Sequence, residues 1–262
     1  MMSTLAFDIA QFFLSLNHLL LPLIIRKAGF NPKVSCFFSN YLVERKTQYF
    51  WNNFFSSFFN IDIGVGQGLA LSSILSVLYI TSVFHILEKC LKILKIPVSI
   101  FSFVDDGLFV AQSKLLTILN SLLFYSYNIT SSILERFGLI MEHGKIEVFY
   151  FSRSHGVFNP SLFDLSILWG LILHPKSTWK YLGFIFDRKL SFYQHIDFYA
   201  NKAISTVKCM NILRNSVCDL NPQQKQLLYR SCIFPIALYG FQLWFYNKVL
   251  LYFLLALKLL QV

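Results

Sequence analysis

The stretch "SIFSFVDDGLFVAQS", residues 99–113, sets two adjacent carboxylates, Asp105 and Asp106, inside an apolar run. Like charges side by side repel, and each is costly to desolvate if left unpaired. Two arrangements accept such a pair. It can be turned out at the tip of a tight hairpin, since Asp-Gly between two apolar arms is a strong turn signal. Or a counter-ion can relieve the repulsion. A second apolar strand, "TLAFDIAQFF" at 4–13, carries Asp8 near its end. Three carboxylates from one strand and one hairpin make an oxygen-rich set for a hard divalent cation. Two such ions about 3.5–4 Å apart clamp the attacking and leaving oxygens of a phosphoryl transfer. On these residues alone, an ordinary Asp-Asp-Gly turn remains the competing reading.

Strand and helix patterns alternate along the chain. Residues 15–46 are helical in pattern, with breaks expected at Pro22 and at Gly29–Pro32. "TQYFWNN" and "FFNIDIGV" read as two aromatic-rich strands. Residues 69–95 read as one long buried helix with Lys89, Lys92 and Lys95 near its C-terminus, where cations suit the helix dipole. Residues 115–137 form the next helix, closed by Gly138. "KIEVFYFSR" is a strand and "TWKYLGFIFDRKLSF" a hairpin or bent strand. Helices follow over 194–214 and from 222 onward, the latter opened by Asn221 as cap and Pro222 at the first position. The pattern predicts an α/β or α+β domain followed by a helical one.

Charge adds a partner class. Lys and Arg total 23 against 13 Asp plus Glu, a net charge of +10. Between Lys176 and Arg230 there are nine basic and three acidic residues. Such a balance favours a polyanionic partner. Five cysteines with no CxxC pair argue against a disulfide framework or a zinc site. Residues 63–87 carry no formal charge, long enough to span a bilayer. Yet Ser72, Ser76, Tyr79 and Ser82 recur at helical steps as a polar stripe, and "GVGQG" at 64–68 breaks the run. A buried helix is expected, its stripe toward polar neighbours or a cleft.

With these segments in view the chain resembles reverse transcriptases. "FVDDGLFVA" resembles their hairpin with two aspartates, and "LAFDIAQFFLSLNHLLL" their first palm motif. "GVGQGLALSSILSVLYI" resembles the Gly-rich turn leading into a helix, and "GLIMEHGKIEVFYFSR" the motif supplying a lysine. "WKYLGFIFDRKLSF" resembles the primer-gripping segment, and "LLYRSCIFPIALYGFQLWF" the stretch after the thumb. Order and spacing resemble non-LTR, LINE-type retrotransposons, fungal-like, over about residues 4–247. Leu14, Gly66, Leu69 and Ser73 depart from the family's usual residues.

The resemblance implies an α+β fold: an antiparallel palm sheet with packed helices over 1–190, a helical thumb-like region over 191–247, and an apolar, degenerate tail over 248–262. It implies RNA-directed DNA polymerisation, with two Mg2+ ions, deoxynucleotide substrates, an RNA template and a DNA primer. Asp8 and Asp105 would bridge the metals, with the carbonyl of Ile9 as a further ligand and Asp106 in support. Lys145 would protonate the pyrophosphate. Phe13 would be the gate against a ribose 2′-OH, with Phe12 an ordinary core residue. Gln67 and Gly68 would lie beside the incoming nucleotide. Leu182 and Gly183 would hold the primer terminus. Lys202, Lys208, Arg214, Lys225 and Arg230 would contact the nucleic-acid backbone. With only seven residues before Asp8, the fingers region is expected to be largely missing and the chain to polymerise weakly or not at all. An intracellular location is expected, in nucleus or cytoplasm, with the mitochondrion a further candidate. Two other classes compete: a non-catalytic nucleic-acid-binding remnant and, less favoured, a membrane protein.

Overall fold

The computed structural model describes residues 1–152, 165–166, 172–214 and 221–245, and of 165, 166 and 210–214 the backbone alone. The expected tail, 248–262, lies outside the described residues. The chain falls into two compact units: Met1–Tyr150 with His155–Pro175, and Phe151–Ser154 with Lys176–Val262.

The first unit opens with β1 (Met2–Ala10). A single 3-10 turn at Phe12–Leu14 leads to α1 (Leu20–Lys27) and α2 (Pro32–Leu42). The expected break at Pro22 does not occur. Pro22 is the third residue of α1, within the first turn, where backbone N–H groups have no intrahelical partner to lose. The aromatic segment makes two small ladders instead of two long strands. β2 (Lys46–Thr47) pairs with β5 (Phe59–Asn60), and β3 (Phe50–Trp51) with β4 (Phe54–Phe55). Its rings stand largely in solvent: Trp51 is 75% and Phe54 67% exposed.

Next comes α3 (Ala70–Ile93). It is long and apolar enough to cross a membrane, but one side packs on protein, against α1 and the elements that follow. Three of the four stripe residues face the core, contrary to the expectation of polar neighbours or a cleft, while Ser82 is half-buried and lines a cavity with Leu20, Ile24 and His85. Ser72, Ser76 and Tyr79 are buried together with Leu75, Ile80, Val83 and Leu87, while Ile74 and Val77 are exposed. The inward polarity is partly met: Ser76 Oγ donates to the carbonyl of Ser73 in its own helix at 2.9 Å, and the Tyr79 hydroxyl to the carbonyl of Phe137, outside that helix.

A hairpin of β6 (Val98–Phe103) and β7 (Asp106–Gln112) follows, then α4 (Leu116–Arg136), ending at Gly138. β8 (Ile140–Met141) and β9 (Glu147–Phe151) come next, and a short ladder of β10 (Leu165–Ser166) with β11 (Ile172–Leu173). The main sheet runs β6-β7-β1-β8, and β9 also pairs with β1. β1 is therefore central, and Ser3 to Phe7 are buried without a break. Leu5, Phe7 and Ile9 are buried against the helices, with Phe109 and Ala111 from β7.

The second unit begins with the hairpin β12 (Thr178–Tyr181) and β13 (Phe184–Asp187), then α5 (Tyr193–Arg214). α6 (Pro222–Leu228), a π-turn over Tyr229–Ile233, α7 (Phe234–Ala237) and α8 (Phe241–Trp244) follow among the described residues. The boundary expected at residue 190 falls inside this unit, because β12–β13 packs with α5: Phe186 and Leu190 join Phe192, Ile196 and Trp244 in one cluster. Asn221 caps α6 by accepting from Gln224 N at 2.7 Å, and Gln224 returns the bond to Asn221 N at 3.0 Å.

Candidate active site

The hairpin answers where the two carboxylates go, and corrects the expected turn. Phe103 pairs with Asp106, so the two-residue loop is Val104–Asp105, not Asp-Asp-Gly. Val104 takes a φ of +58°, an unusual conformation for a β-branched residue, where such hairpins ordinarily place glycine. Asp106 and Gly107 already belong to β7. Gly107 serves another purpose: a Cβ there would fall within the Phe7 ring, its cross-strand partner.

The register brings the acids together. Asp8 lies directly opposite Asp106, and residues opposed in an antiparallel pair share a face. Ile9 N donates to the carbonyl of Asp105 at 3.2 Å, holding the loop over the end of β1. Ile9 itself is buried. Asp106 is held above the usual carboxylate range, chiefly by burial and then by the charges of Asp105 and Asp8, with Lys145 opposing.

Lys145 comes from a 3-10 turn, His143–Lys145, ahead of β9. Its ammonium donates to Asp8 Oδ2 at 2.7 Å and pairs with Glu142 at 3.1 Å. These hydrogen bonds hold the ammonium well above its ordinary pKa. Glu142 N in turn donates to the carbonyl of Asp8 at 2.8 Å. Glu142 escaped the sequence reading, because nothing in a lone glutamate before a 3-10 turn announces a partner 134 positions away.

Do these residues fit a divalent cation? Among the described residues no group of three or more His, Cys, Asp or Glu stands ready as a metal cluster. The donor chemistry nevertheless fits. Asp8 Oδ1 is buried and has no hydrogen-bond partner among the described residues, and a cation, the Lys145 ammonium, already sits on Oδ2. Mg2+ is commonly held by one or two carboxylates with the rest supplied by water and substrate phosphates.

The Gly-rich segment is tied back to the residues after β1. Val65 N donates to the carbonyl of Phe13 and Gly64 N to that of Leu16, each at 2.7 Å. Phe12 is buried in the core, as expected; Phe13 beside it is half-buried, and Gln67 and Gly68 are exposed. Arg45, also missed in the sequence, reaches the same turn, 3.4 Å from the Gly64 carbonyl.

In the second unit, Leu182 and Gly183 are the two loop residues between Tyr181 and Phe184, with φ of +47° and +82°. Two positive φ values in succession define the I′ type of tight hairpin. Both loop carbonyls are taken. The Tyr239 hydroxyl donates to Leu182 O at 2.9 Å and the Tyr199 hydroxyl to Gly183 O at 2.8 Å. Buried His195 stacks on Phe184, accepts from Ile185 N at Nδ1 and so donates from Nε2 to the carbonyl of Tyr239. Burial lowers its pKa, with the Tyr239 bond opposing, which suits this neutral tautomer. Of the expected backbone contacts, Lys202, Lys208, Lys225 and Arg230 are exposed; the Arg214 side chain lies outside the described residues.

A central strand and a hairpin thus place Asp8 opposite Asp106, with Asp105 in the adjoining loop and the Lys145 ammonium on Asp8. The chain belongs to the reverse transcriptase (RNA-dependent DNA polymerase) family, whose model matches residues 3–186. Members of this family use divalent metal ions. A probable RNA-directed DNA polymerase from transposon BS of Drosophila melanogaster is 32% identical over 75 residues, 29% of this chain and 8% of that protein. Apo telomerase from Candida tropicalis, truncated from its C-terminal domain, superposes with a TM-score of 0.51 at 14% identity, over 72% of this chain and 34% of that one. Candida tropicalis telomerase in complex with a fragment of telomeric RNA gives 0.54 at 11% identity, over 98% and 46%. These likenesses carry the fold. The chain spans less than half the length of each of these proteins.

Proposed function

We propose that the chain is the catalytic part of an RNA-directed DNA polymerase from a non-LTR, LINE-type retrotransposon. The reaction joins a primer 3′-oxygen to the α-phosphorus of a deoxynucleotide and breaks its bond to pyrophosphate. The 3′-hydroxyl loses a proton and the pyrophosphate gains one. Asp8, Asp105 and Asp106 would hold two Mg2+ ions, with the Ile9 carbonyl as a further ligand. When bound, the ions lower the charge cost at the attacking and leaving oxygens. Lys145 would carry the proton for pyrophosphate. Phe13, Gln67 and Gly68 would meet the nucleotide, and Leu182 and Gly183 the primer end. The basic side chains of the second unit would bind template and primer phosphates. An intracellular site of action, in nucleus or cytoplasm, follows from such substrates.

The observation that carries this reading is the register of β1 on β7, which opposes Asp8 to Asp106 with Asp105 in the adjoining loop. A primed RNA template, deoxynucleotides and Mg2+ test it. The expected result is slow, metal-dependent extension that Asp105→Asn abolishes. Salt-sensitive binding of the primed template without extension would support the non-catalytic binding module instead.

A further inference from the structure

We infer that Glu142 is the seat that retains the Lys145 ammonium when a divalent cation displaces it from Asp8. The inference rests on the reading above in taking Asp8 as a cation ligand.

One ammonium here serves two carboxylates, 2.7 Å from Asp8 and 3.1 Å from Glu142. The two acids are not equivalent. Asp8 faces Asp106 across the β1–β7 pair and its side chain is 19% exposed, whereas Glu142 lies outside that pair and is 41% exposed. Lys145 is 59% exposed at its side chain, and an ammonium on a four-carbon stem can turn without moving the backbone. The backbone between the acids is fixed. Lys145 N donates to the carbonyl of Glu142 at 3.1 Å, and Glu142 N to the carbonyl of Asp8. Lysine and glutamate are therefore held together one turn from Asp8.

A divalent cation and an ammonium cannot share the Asp8 carboxylate comfortably, because like charges at contact distance repel. In the free chain Lys145 is thus a built-in competitor for the cation. Glu142 moderates the competition, since the displaced ammonium keeps a charged partner without leaving the cleft. The same seat retains a proton donor beside the place where pyrophosphate would form.

Mn2+ alone, titrated into the full chain and followed by the paramagnetic resonance of the free ion, reads this out without turnover. Lys145→Met removes the competitor and is expected to tighten Mn2+ binding roughly tenfold, the scale of one charge-assisted bond. Glu142→Gln removes the retaining seat and is expected to weaken binding by about two- to fivefold, the scale of an exposed ion pair. In the Lys145→Met background, Glu142→Gln should have no effect, since no ammonium remains to be seated. Lys145→Gln repeats the test should the methionine disturb folding.

Equal weakening by Glu142→Gln with and without Lys145 would overturn the inference, as would no effect of Lys145→Met. Those outcomes leave the polymerase reading intact provided Asp8→Asn abolishes Mn2+ binding. Binding that is absent, or indifferent to Asp8→Asn and Asp105→Asn, would remove the cation site and with it both readings.

Discussion

Phe7 fills the space that a side chain on Gly107 would need, across the β1–β7 pair and one residue from the Asp8–Asp106 pair. Gly107 does not use a positive φ. Alanine there would by itself gain about 0.4–1 kcal/mol by restricting the unfolded chain. The collision works the other way, and overpacking of this kind costs about 1–3 kcal/mol. Gly107→Ala should therefore lower the urea midpoint. A gain in stability would mean that Phe7 has room to move.

That pair marks where the sequence was readable and where it was not. The spacing of apolar and acidic residues was enough to place Asp8 on a strand and Asp105–Asp106 at a hairpin. Asn221 and Gly138 carried local signals for a helix start and a helix end, and both serve as such. The turn itself was misplaced by one residue, because Asp-Gly signals a turn by backbone preference while Gly107 answers to a ring 100 positions away. The α3 stripe was misjudged for a related reason. Serines can bury their hydroxyls against their own helix, so polar identity did not reveal the outward face. The long aromatic strands shrank to two-residue ladders, since ring content gives strand propensity but no packing partner. Glu142 and Arg45 meet the site only through the tertiary fold.

Asp106 sets a pH dependence. Its folded pKa lies above the unfolded value of 3.8, first through burial and then through Asp105 and Asp8. A raised acid contributes stability that is full below the unfolded pKa and is lost as pH rises through the folded one. Asp106→Asn should therefore raise the melting temperature at neutral pH, with the gain shrinking below about pH 4. Asp187 is the opposite case. Burial would raise it, but bonds from Ser191, Phe192 and Lys189 hold it low. Asp187→Asn should cost stability at neutral pH and progressively less in acid. Thermal melts of both variants from pH 3 to 8 check the two signs.

Divalent cations should stabilise the first unit by mass action if its carboxylates bind them. At a hundred times the dissociation constant the gain is about 2.7 kcal/mol. Mg2+ is expected to raise the melting temperature of the chain and to leave Asp8→Asn unmoved at equal ionic strength. An equal rise in both would point to general screening.

Gly183 should tolerate no side chain. Its φ of +82° is costly for any other residue, and a Cβ would come within 2.9 Å of the Tyr239 hydroxyl. Gly183→Ala is expected to lose about 1–3 kcal/mol. Tyr239→Phe removes only the bond to Leu182 O and should lose about 1 kcal/mol. Denaturant curves followed through tryptophan fluorescence, with Trp179 and Trp244 in this unit, check the order of the two.

The exposed basic residues of the second unit are open to direct measurement. Lys202 and Lys208 lie on α5, Lys225 on α6 and Arg230 in the π-turn, and all four are exposed. If they neutralise phosphates, they release condensed counterions, and the logarithm of affinity falls linearly with that of salt. Four such contacts predict a loss on the order of a hundredfold between 50 and 200 mM salt. Replacing any one by glutamine should weaken binding of every primed template alike and reduce the slope by about one. Filter binding over that salt range, on the chain and four single variants, reads both quantities together. A slope unchanged by all four substitutions would place the phosphate contacts on other basic residues. A flat salt response would mean that bases and sugars, not phosphates, supply the affinity.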